Sequence, residues 1–311
     1  MMRATLNSAP PPEPERRDPF LDELDAAGLL VAGQTPGVDG FSAAFERIVA
    51  ALHADIGALR REHHGETLHF PPVLSRATLE RSGYLEGFAH LAGTIHGFAG
   101  GDAAHVELVD ALARGADWGR HQALSDTVLA PAVCYHVYPL LEGLLPPGGR
   151  EINAFSYCYR HEHTAEAGRL RAFRVEEFVR AGNRETCERW RDAWLARGTD
   201  YLRGLGLTVR CELATDPFFG GARRLLAADQ RQRRLKYELR IPLRDRWLAV
   251  SSYNIHDDHF GRRFGICCDD GTTAETACVG FGLERIALGL LSEHGPQLHA
   301  WPAELREWLC R

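Results

Sequence analysis

The feature that most constrains the fold is a series of short extended runs that fills the second half of the chain. They cover residues 154–159, 170–179, 207–213, 239–243, 247–253 and 263–268. Short runs bounded by polar or glycine-containing turns are typical of β-strands. Helical patterns flank this region, and strands outnumber helices within it. We therefore predict an α+β fold with a largely antiparallel sheet that is flanked by helices.

Two helical patterns precede the strands. Residues 18–31 are predicted as a helix with Asp18 as its N-cap and Pro19 at the first helical position. Residues 41–61 carry apolar side chains three or four positions apart, which predicts a longer helix. A short strand is then predicted at 67–74, followed by a helix that starts at 75 or 76. Further helices are predicted at 190–205, 221–234 and 282–291.

The chain shows no linker that would divide it. Residues 1–17 are predicted to be a disordered, proline-rich lead-in without the apolar core of a signal sequence, and residues 18–311 to be one domain. No apolar run reaches the roughly 18 residues of a membrane span. The net charge of −6 argues against non-specific binding to nucleic acid, so no DNA partner is expected. We expect a cytoplasmic protein with mostly reduced cysteines.

Two segments carry residues suited to a nucleotide. Residues 159–162 (Tyr-Arg-His-Glu) and 169–178 form two strands around a charged loop, and they offer arginines, carboxylates and an aromatic ring. Arginine pairs with phosphate, a carboxylate accepts from an exocyclic amine, and a ring stacks on a base. Residues 280–288 (Gly-Phe-Gly-Leu-Glu-Arg-Ile-Ala-Leu) bring a glycine turn to a helix start. The alternatives are a surface hairpin with ordinary charge pairs and a simple strand-to-helix turn.

These two segments resemble motifs 2 and 3 of class II aminoacyl-tRNA synthetases, in the same order. Phe70-Pro71-Pro72, after the long helix, resembles motif 1, whose helix and strand form the dimer interface in that family. Residues 236–239 (Lys-Tyr-Glu-Leu) and 251–254 (Ser-Ser-Tyr-Asn) add a likeness to seryl-tRNA synthetases. The resemblance covers roughly residues 41–291 and implies a class II catalytic core that forms a homodimer.

The resemblance stops short of the tRNA-binding parts. Only about 40 residues precede the motif 1 helix, without the heptads of a tRNA-binding arm, and the chain ends about 20 residues after motif 3. This pattern resembles the amino acid:[carrier protein] ligases, which load a small amino acid onto the phosphopantetheine thiol of a carrier protein. The resemblance implies ATP as a substrate, glycine or alanine as the amino acid, and tRNA as an unlikely partner.

The resemblance also implies roles for single residues. Arg160 and Arg285 would hold the ATP phosphates and act as the catalytic arginines. Glu162 would contact the edge of adenine, and Phe173 would stack on it. Mg²⁺ is implied with ATP, but its ligands stay unassigned, because Ala249 stands where seryl enzymes have a glutamate. Glu238 or a more distant carboxylate is the alternative.

Cys134, Glu177 and Cys278 fall where zinc-containing seryl enzymes have their three zinc ligands. Two thiolates and a carboxylate leave one position of Zn²⁺ open, an arrangement typical of a site that binds substrate. The open position would take the neutral α-amine of the amino acid. Glu177 rather than Glu176 is the predicted ligand, since it lies four residues after Phe173 and so on the same strand face. The alternative is that the two cysteines are unrelated buried thiols.

A basic helix is predicted between motifs 2 and 3. Its arginines Arg223, Arg224, Arg231 and Arg234 would dock an acidic carrier protein, although a run of charge is often just a solvated helix face. Two other functions stay open. One is an adenylating enzyme that charges tRNA with help from another subunit. The other is a catalytically inactive synthetase paralogue that acts as a regulatory subunit.

Overall fold

The elements of the fold come from a computed structural model, which describes residues 16–60, 66–162 and 165–310. Within these residues the strands are β1 (Leu30–Val31), β2 (Gly40–Phe41), β3 (Glu66–His69), β4 (Val73–Ser75), β5 (Thr94–Phe98), β6 (Gln122–Leu129), β7 (Gly143–Leu144), β8 (Arg150–Tyr159), β9 (Ala172–Gly182), β10 (Arg210–Leu213), β11 (Lys236–Leu243), β12 (Arg246–Ile255), β13 (Ile266–Cys267) and β14 (Glu275–Gly282). The α-helices are α1 (Pro19–Ala26), α2 (Ala43–Ala58), α3 (Arg76–Ser82), α4 (Tyr84–Phe88), α5 (Asp102–Ala113), α6 (Cys134–Val137), α7 (Arg184–Gly204), α8 (Arg223–Gln232), α9 (His259–Phe264), α10 (Leu283–His294) and α11 (Ala303–Trp308).

A seven-stranded sheet organises the part of the chain that the structure describes. Its strand order is β10-β11-β12-β14-β9-β8-β3. Every neighbouring pair is antiparallel except β3 and β8, which run parallel. The long helices α2, α7 and α10 pack against this sheet, and the short helices α6 and α9 also contact it. The predicted α+β fold with a largely antiparallel sheet is confirmed.

The alternation of side chains along β9 separates two cores. Phe178 belongs to the core formed with α2, α7 and α10, and its ring stacks on that of Trp194 at 4.0 Å. Phe173 and Val175 belong to the second core, on the side of α6 and α9. Successive strand residues point to opposite faces, so residues 173, 175 and 177 share one face. This alternation places the chemistry-bearing residues on the side of the short helices.

The first helix is shorter than predicted. The Asp18 carboxylate accepts from Phe20 N, as expected of the N-cap, but α1 ends at Ala26. Gly28 follows with φ of 70°, and residues 30–31 pair as β1 with β2 instead of continuing the helix. Glycine adopts this backbone region without the steric cost that other residues carry, so it ends the helix.

The predicted strand at 263–268 was wrong over most of its length. Residues up to Phe264 belong to α9, and only Ile266 and Cys267 are extended. Phe260 and Phe264 lie four residues apart, a helical spacing, and both rings pack on Tyr138. Gly265, with φ of 62°, separates the helix from the strand.

The predicted lead-in lies mostly outside the described residues. From residue 16 onward the chain is described, and Arg17 forms ion pairs with Asp22 and Asp39 at 3.2 and 3.1 Å. None of the helices described is both long and apolar enough to cross a membrane.

Candidate active site

A cavity of about 640 Å³ opens above the sheet on the side of α6 and α9. Its floor is made by side chains of five neighbouring strands, β8, β9, β11, β12 and β14. Residues of α4, α8 and α9 form its walls. The candidate residues that line it are Cys134, Arg160, Phe173, Glu177, Cys278 and Arg285. The cavity therefore brings together candidate residues that are up to 151 positions apart, from Cys134 to Arg285.

Cys134, Glu177 and Cys278 form a buried cluster in this cavity. Each offers one ligand atom, and these atoms all lie within 4.8 Å of one another. Glu177 Oε2 accepts hydrogen bonds from Val133 N at 3.0 Å and from Cys134 N at 3.1 Å. These bonds fasten the carboxylate of β9 to the start of α6. The cluster is thus held by backbone contacts as well as by side-chain packing.

The electrostatics of the cluster favour a bound cation. The hydrogen bond with Cys134, followed by burial, raises the pKa of the Cys278 thiol well above its usual range. The hydrogen bond with Cys278 lowers the pKa of Cys134, but burial and the nearby Glu177 outweigh it, and the net change is upward. Burial also raises the pKa of Glu177, although hydrogen bonds from Cys278 and Cys134 oppose it.

Three acidic groups this close together cannot all ionise in a buried site unless a positive charge compensates them. Two thiolates with one carboxylate are a donor set that suits Zn²⁺. The residues present therefore fit the metal that the resemblance implies.

Cys278 has two further neighbours that the sequence analysis did not single out as site residues. Asn254, its direct partner across β12 and β14, donates from Nδ2 to Sγ at 3.4 Å. His256 Nε2 lies 3.6 Å from the same sulfur, and its Nδ1 lies 3.1 Å from Thr276 Oγ1. Burial, followed by the charge of His259, lowers the pKa of His256 to about 4. The ring is therefore neutral near pH 7. Residues 252 and 254 share one face of β12, and His256 directly follows the end of that strand; the alternation along β12 was the available signal.

Two arginines flank the ring of Phe173. The guanidinium carbon of Arg160 lies 5.5 Å from the ring centroid, and that of Arg285 lies 5.7 Å from it. Burial, followed by the charge of Arg160, lowers the pKa of Arg285 to about 10. Arg160 Nε has no hydrogen-bond partner among the described residues. Two like charges beside one aromatic ring in a cavity can bind a polyanion that carries a flat base.

A partly buried ion network holds the elements that carry these side chains. Arg174, next to Phe173, donates from N and Nε to Glu284, at 2.8 and 2.6 Å. Its other two nitrogens donate to Glu46 of α2, at 2.6 and 2.8 Å. Glu284 directly precedes Arg285. The network therefore ties α2, β9 and α10 together beside the arginine pair.

Glu162 lies outside the cavity lining. Its carboxylate pairs with Arg169 Nη1 at 3.4 Å, in the loop between β8 and β9. The structure thus brings together Arg160, Phe173 and Arg285 in the cavity lining. Glu162 lies outside the lining but near both arginines, since its charge acts to raise the pKa of each of them.

The predicted basic helix is α8, at the rim of the cavity. Leu226, Asp229 and Gln230 of this helix line the cavity. The four predicted docking arginines are exposed and none of them lines the cavity: Arg223, Arg224 and Arg231 lie on α8, whereas Arg234 lies two residues beyond its end. Leu225 beside them is 73% exposed. The helix therefore presents a mixed basic and apolar surface next to the opening.

Gln230 connects this helix to the cavity floor. It exchanges two hydrogen bonds of 2.7 Å with Asp216, one through each end of its amide. Asp216 in turn accepts from Lys236 Nζ at 2.6 Å. Burial acts to raise the pKa of Asp216, but the charge and hydrogen bond of Lys236 outweigh it, and the net change is downward. Asp216 lies in a loop without regular spacing, so no pattern along the chain pointed to it.

The chain is similar to two ligases of known name. The amino acid–[acyl-carrier-protein] ligase 1 of Bradyrhizobium diazoefficiens is 40% identical over 310 residues, which is 98% of this chain and 94% of that protein. Ligase 2 of the same organism is 38% identical over 313 residues, 99% of this chain and 92% of that protein. No family model matches the chain.

Solved structures show the same fold at lower identity. The Methanopyrus kandleri seryl-tRNA synthetase, solved with A. aeolicus tRNASec, has a TM-score of 0.79 at 21% identity and covers 98% of this chain. The Pyrococcus horikoshii seryl-tRNA synthetase, solved with ATP, has a TM-score of 0.68 at 14% identity and covers 94% of this chain. This chain spans 62% of each synthetase chain. The predicted fold of a class II synthetase catalytic core is confirmed.

Proposed function

We propose that this chain, which belongs to the amino acid–[acyl-carrier-protein] ligase family and is a ligase, activates glycine or alanine with ATP. It would then load the activated amino acid onto the phosphopantetheine thiol of a carrier protein. One observation carries the proposal. A single cavity holds an arginine pair flanking an aromatic ring and, on the same face of the sheet, a cluster of two thiols and a carboxylate.

Arg160, Phe173 and Arg285 are proposed as the ATP site. The similarity to a synthetase solved with ATP supports this assignment. Phe173 would stack on adenine, and the two arginines would hold the phosphates. The amino acid carboxylate would attack the α-phosphorus in line, forming a P–O bond while the bond to pyrophosphate breaks. The guanidinium groups stabilise the charge that develops on the phosphate oxygens. Glu162, whose Oε2 pairs with Arg169 at 3.4 Å, would contact the adenine edge.

Cys134, Glu177 and Cys278 are proposed as the ligands of Zn²⁺. When bound there, the metal supplies an open position for the neutral α-amine of the amino acid. Asn254 donates a hydrogen bond to Cys278 and so orients the sulfur and stabilises its thiolate. Mg²⁺ would accompany ATP. Ala249 offers no carboxylate for it, and its carbonyl oxygen accepts from Arg285 Nη1 at 3.1 Å instead.

The second half-reaction passes the acyl group to sulfur. The phosphopantetheine thiolate would attack the acyl carbon, a C–S bond would form, and AMP would leave with the electron pair of the broken C–O bond. The names of the two ligases support a carrier protein as the acceptor, and we propose that tRNA and DNA are not partners. The reaction is proposed to take place in the cytoplasm.

A homodimer is proposed through α2 and the segment around Phe70-Pro71-Pro72. Near this segment β3 forms an edge of the main sheet, as far as the described residues show. Such an edge leaves backbone groups available for a second chain. Sedimentation velocity should give about twice the 34.6 kDa mass of one chain. A monomer at micromolar concentration would contradict the proposal.

A pyrophosphate-exchange screen over the standard amino acids tests the first half-reaction. We expect the fastest exchange with glycine or alanine, and exchange should require ATP and Mg²⁺. If no amino acid supports pyrophosphate exchange, the alternative of a catalytically inactive paralogue would be favoured. Fast exchange with a large amino acid would overturn the assignment of a small substrate.

Charge reversal on α8 tests the docking of the carrier. Because Arg223, Arg224 and Arg231 are exposed and outside the cavity lining, their substitution by glutamate should leave pyrophosphate exchange intact. It should raise the apparent KM for the carrier by about tenfold at low salt, since an acidic partner would be repelled. The measurement is thioester formation at varied carrier concentration.

A matched triple variant controls for the change in net charge. Arg114, Arg189 and Arg203 are also exposed, and none of them lines the cavity. Their substitution by glutamate should leave the KM for the carrier within about twofold of the wild-type value. Normal loading by the α8 variant at low salt would show that α8 is a solvated helix face.

A further inference from the structure

The side chain of Arg285 is held in place by backbone carbonyl groups. Its Nε donates to Gly168 O at 2.7 Å, and its Nη1 donates to Ala249 O at 3.1 Å. Ala249 lies in β12, within the sheet. Gly168 lies in the loop between β8 and β9, so its position depends on what holds that loop. The direction of the guanidinium therefore depends on a loop residue 117 positions away in sequence.

The loop is held at the residue before Gly168. Ala167 N donates to Asp18 Oδ2 at 3.0 Å, and Ala167 O accepts from Arg246 Nη2 at 2.9 Å. Arg246 Nη2 also donates to Asp18 Oδ2 at 2.6 Å. Both backbone polar groups of Ala167 are thus bound by one carboxylate–guanidinium pair. A third bond, from Asp18 N to Ala165 O at 3.1 Å, extends the contact along the loop.

The segment has little freedom to move once these bonds form. Gly168 has φ of 82°, a region that other residues rarely adopt. A Cβ on Gly168 would meet the side chain of Leu248 at 2.7 Å, so the backbone lies directly against β12. The Asp18 side chain is 11% exposed, which shields its bonds from water. Charge-assisted hydrogen bonds in such surroundings are stronger than those between neutral groups.

We propose that Asp18, together with Arg246, is a positioning residue that sets the direction of Arg285 through residues 167–168. The inference rests on the proposed role of Arg285 in binding ATP. It gives a function to the segment just before α1, which is distant in sequence from every other residue of the site. Neither Asp18 nor Arg246 lines the cavity, so neither would touch ATP.

The simpler role of Asp18 is to cap α1, and one substitution separates the two roles. Serine is as good an N-cap as aspartate, because its hydroxyl can accept from the backbone at the helix start. Its side chain is too short to bridge to Ala167 and Arg246. Asp18→Ser therefore keeps the cap and loses the contact with the loop. Arg246→Ala breaks the same contact from the other side and does not alter the cap.

The experiment measures ATP binding to the full-length protein by calorimetry, together with the KM values in pyrophosphate exchange. Asp18→Ser and Arg246→Ala should each weaken ATP binding by about tenfold, the scale of one hydrogen bond to a charged group. The KM for the amino acid should change by less than about twofold. The double variant should bind ATP about as weakly as either single variant, because the two residues act through one contact. Arg246→Lys should fall between Arg246→Ala and the wild type.

Ser42→Ala is the matched control for a lost helix cap. Ser42 Oγ accepts from Phe45 N at the start of α2, away from the loop. This variant should lower the melting temperature by a few degrees and leave ATP binding unchanged. Melting temperatures of all variants separate loss of stability from loss of positioning.

Wild-type ATP binding by both Asp18→Ser and Arg246→Ala would overturn the inference. Additive weakening in the double variant would also overturn it, since the two residues would then act separately. Failure of the proposed function is a different result: the wild type would bind no ATP, or it would bind ATP and exchange no pyrophosphate. In the second case the calorimetric comparison still decides whether Asp18 positions Arg285.

Discussion

Arg160→Ala and Arg285→Ala should each lower amino-acid-dependent pyrophosphate exchange by about a hundredfold or more, the scale seen when one donor to a transition state is removed. Both guanidinium groups lie beside the ring of Phe173 in the same cavity. Each would donate to oxygens on which charge develops only as the α-phosphorus is attacked. The loss should therefore appear in kcat as well as in the KM for ATP.

Conservative and distant variants sharpen this prediction. Arg285→Lys keeps a positive charge but cannot donate to both Gly168 O and Ala249 O in a fixed fork, so it should recover only part of the activity. Arg189→Ala removes an exposed arginine of α7 and should exchange normally. Circular dichroism excludes unfolding of each variant. Near wild-type exchange by Arg160→Ala or Arg285→Ala would remove that arginine from the proposed mechanism.

Cys278→Ala should lose both zinc and amino-acid activation. The wild type should contain about one zinc per chain, as measured by atomic absorption. Without one thiolate, only two protein ligands remain, which is too few to hold Zn²⁺ against a chelator in solution. Exchange should fall to background, because the α-amine would have lost its binding position.

The control for this prediction is Cys187→Ala, which removes another buried thiol. Cys187 lies at the start of α7, outside the cavity lining, and its Sγ contacts Glu275 O at 3.5 Å. This variant should keep its zinc and its activity. A full zinc complement in the double variant Cys134→Ser/Cys278→Ala would show that the metal, if present, binds elsewhere.

Much of the fold was readable from local patterns. The strands around residues 154–159 and 170–179 have the extended character that a hairpin needs, and β8 and β9 pair as expected. Asp18 had both a capping side chain and a following proline, and it does begin α1. Short segments were less predictable. Residues 259–264 span less than two helical turns. The helical spacing of Phe260 and Phe264 was therefore too short a signal to exclude the strand that was predicted at 263–268.

The site was predictable only where the resemblance supplied its members. Cys134 and Glu177 are 43 positions apart, a separation that fits no local metal-binding motif. The contact of Asp18 with Ala167 spans 149 positions and joins a helix start to a loop. Asp216 and His256 likewise gain their surroundings only when distant strands meet. Contacts of this kind depend on tertiary packing, which periodicity along the chain does not encode.

One labelling experiment shows whether the activated amino acid is transferred to a carrier thiol. The full-length protein is incubated with ATP, Mg²⁺, labelled glycine or alanine, bulk tRNA and a carrier protein with or without its phosphopantetheine. We expect a label on the phosphopantetheinylated carrier only, released by hydroxylamine as expected of a thioester. Label on tRNA, with no labelled thioester on any phosphopantetheinylated carrier, would contradict it.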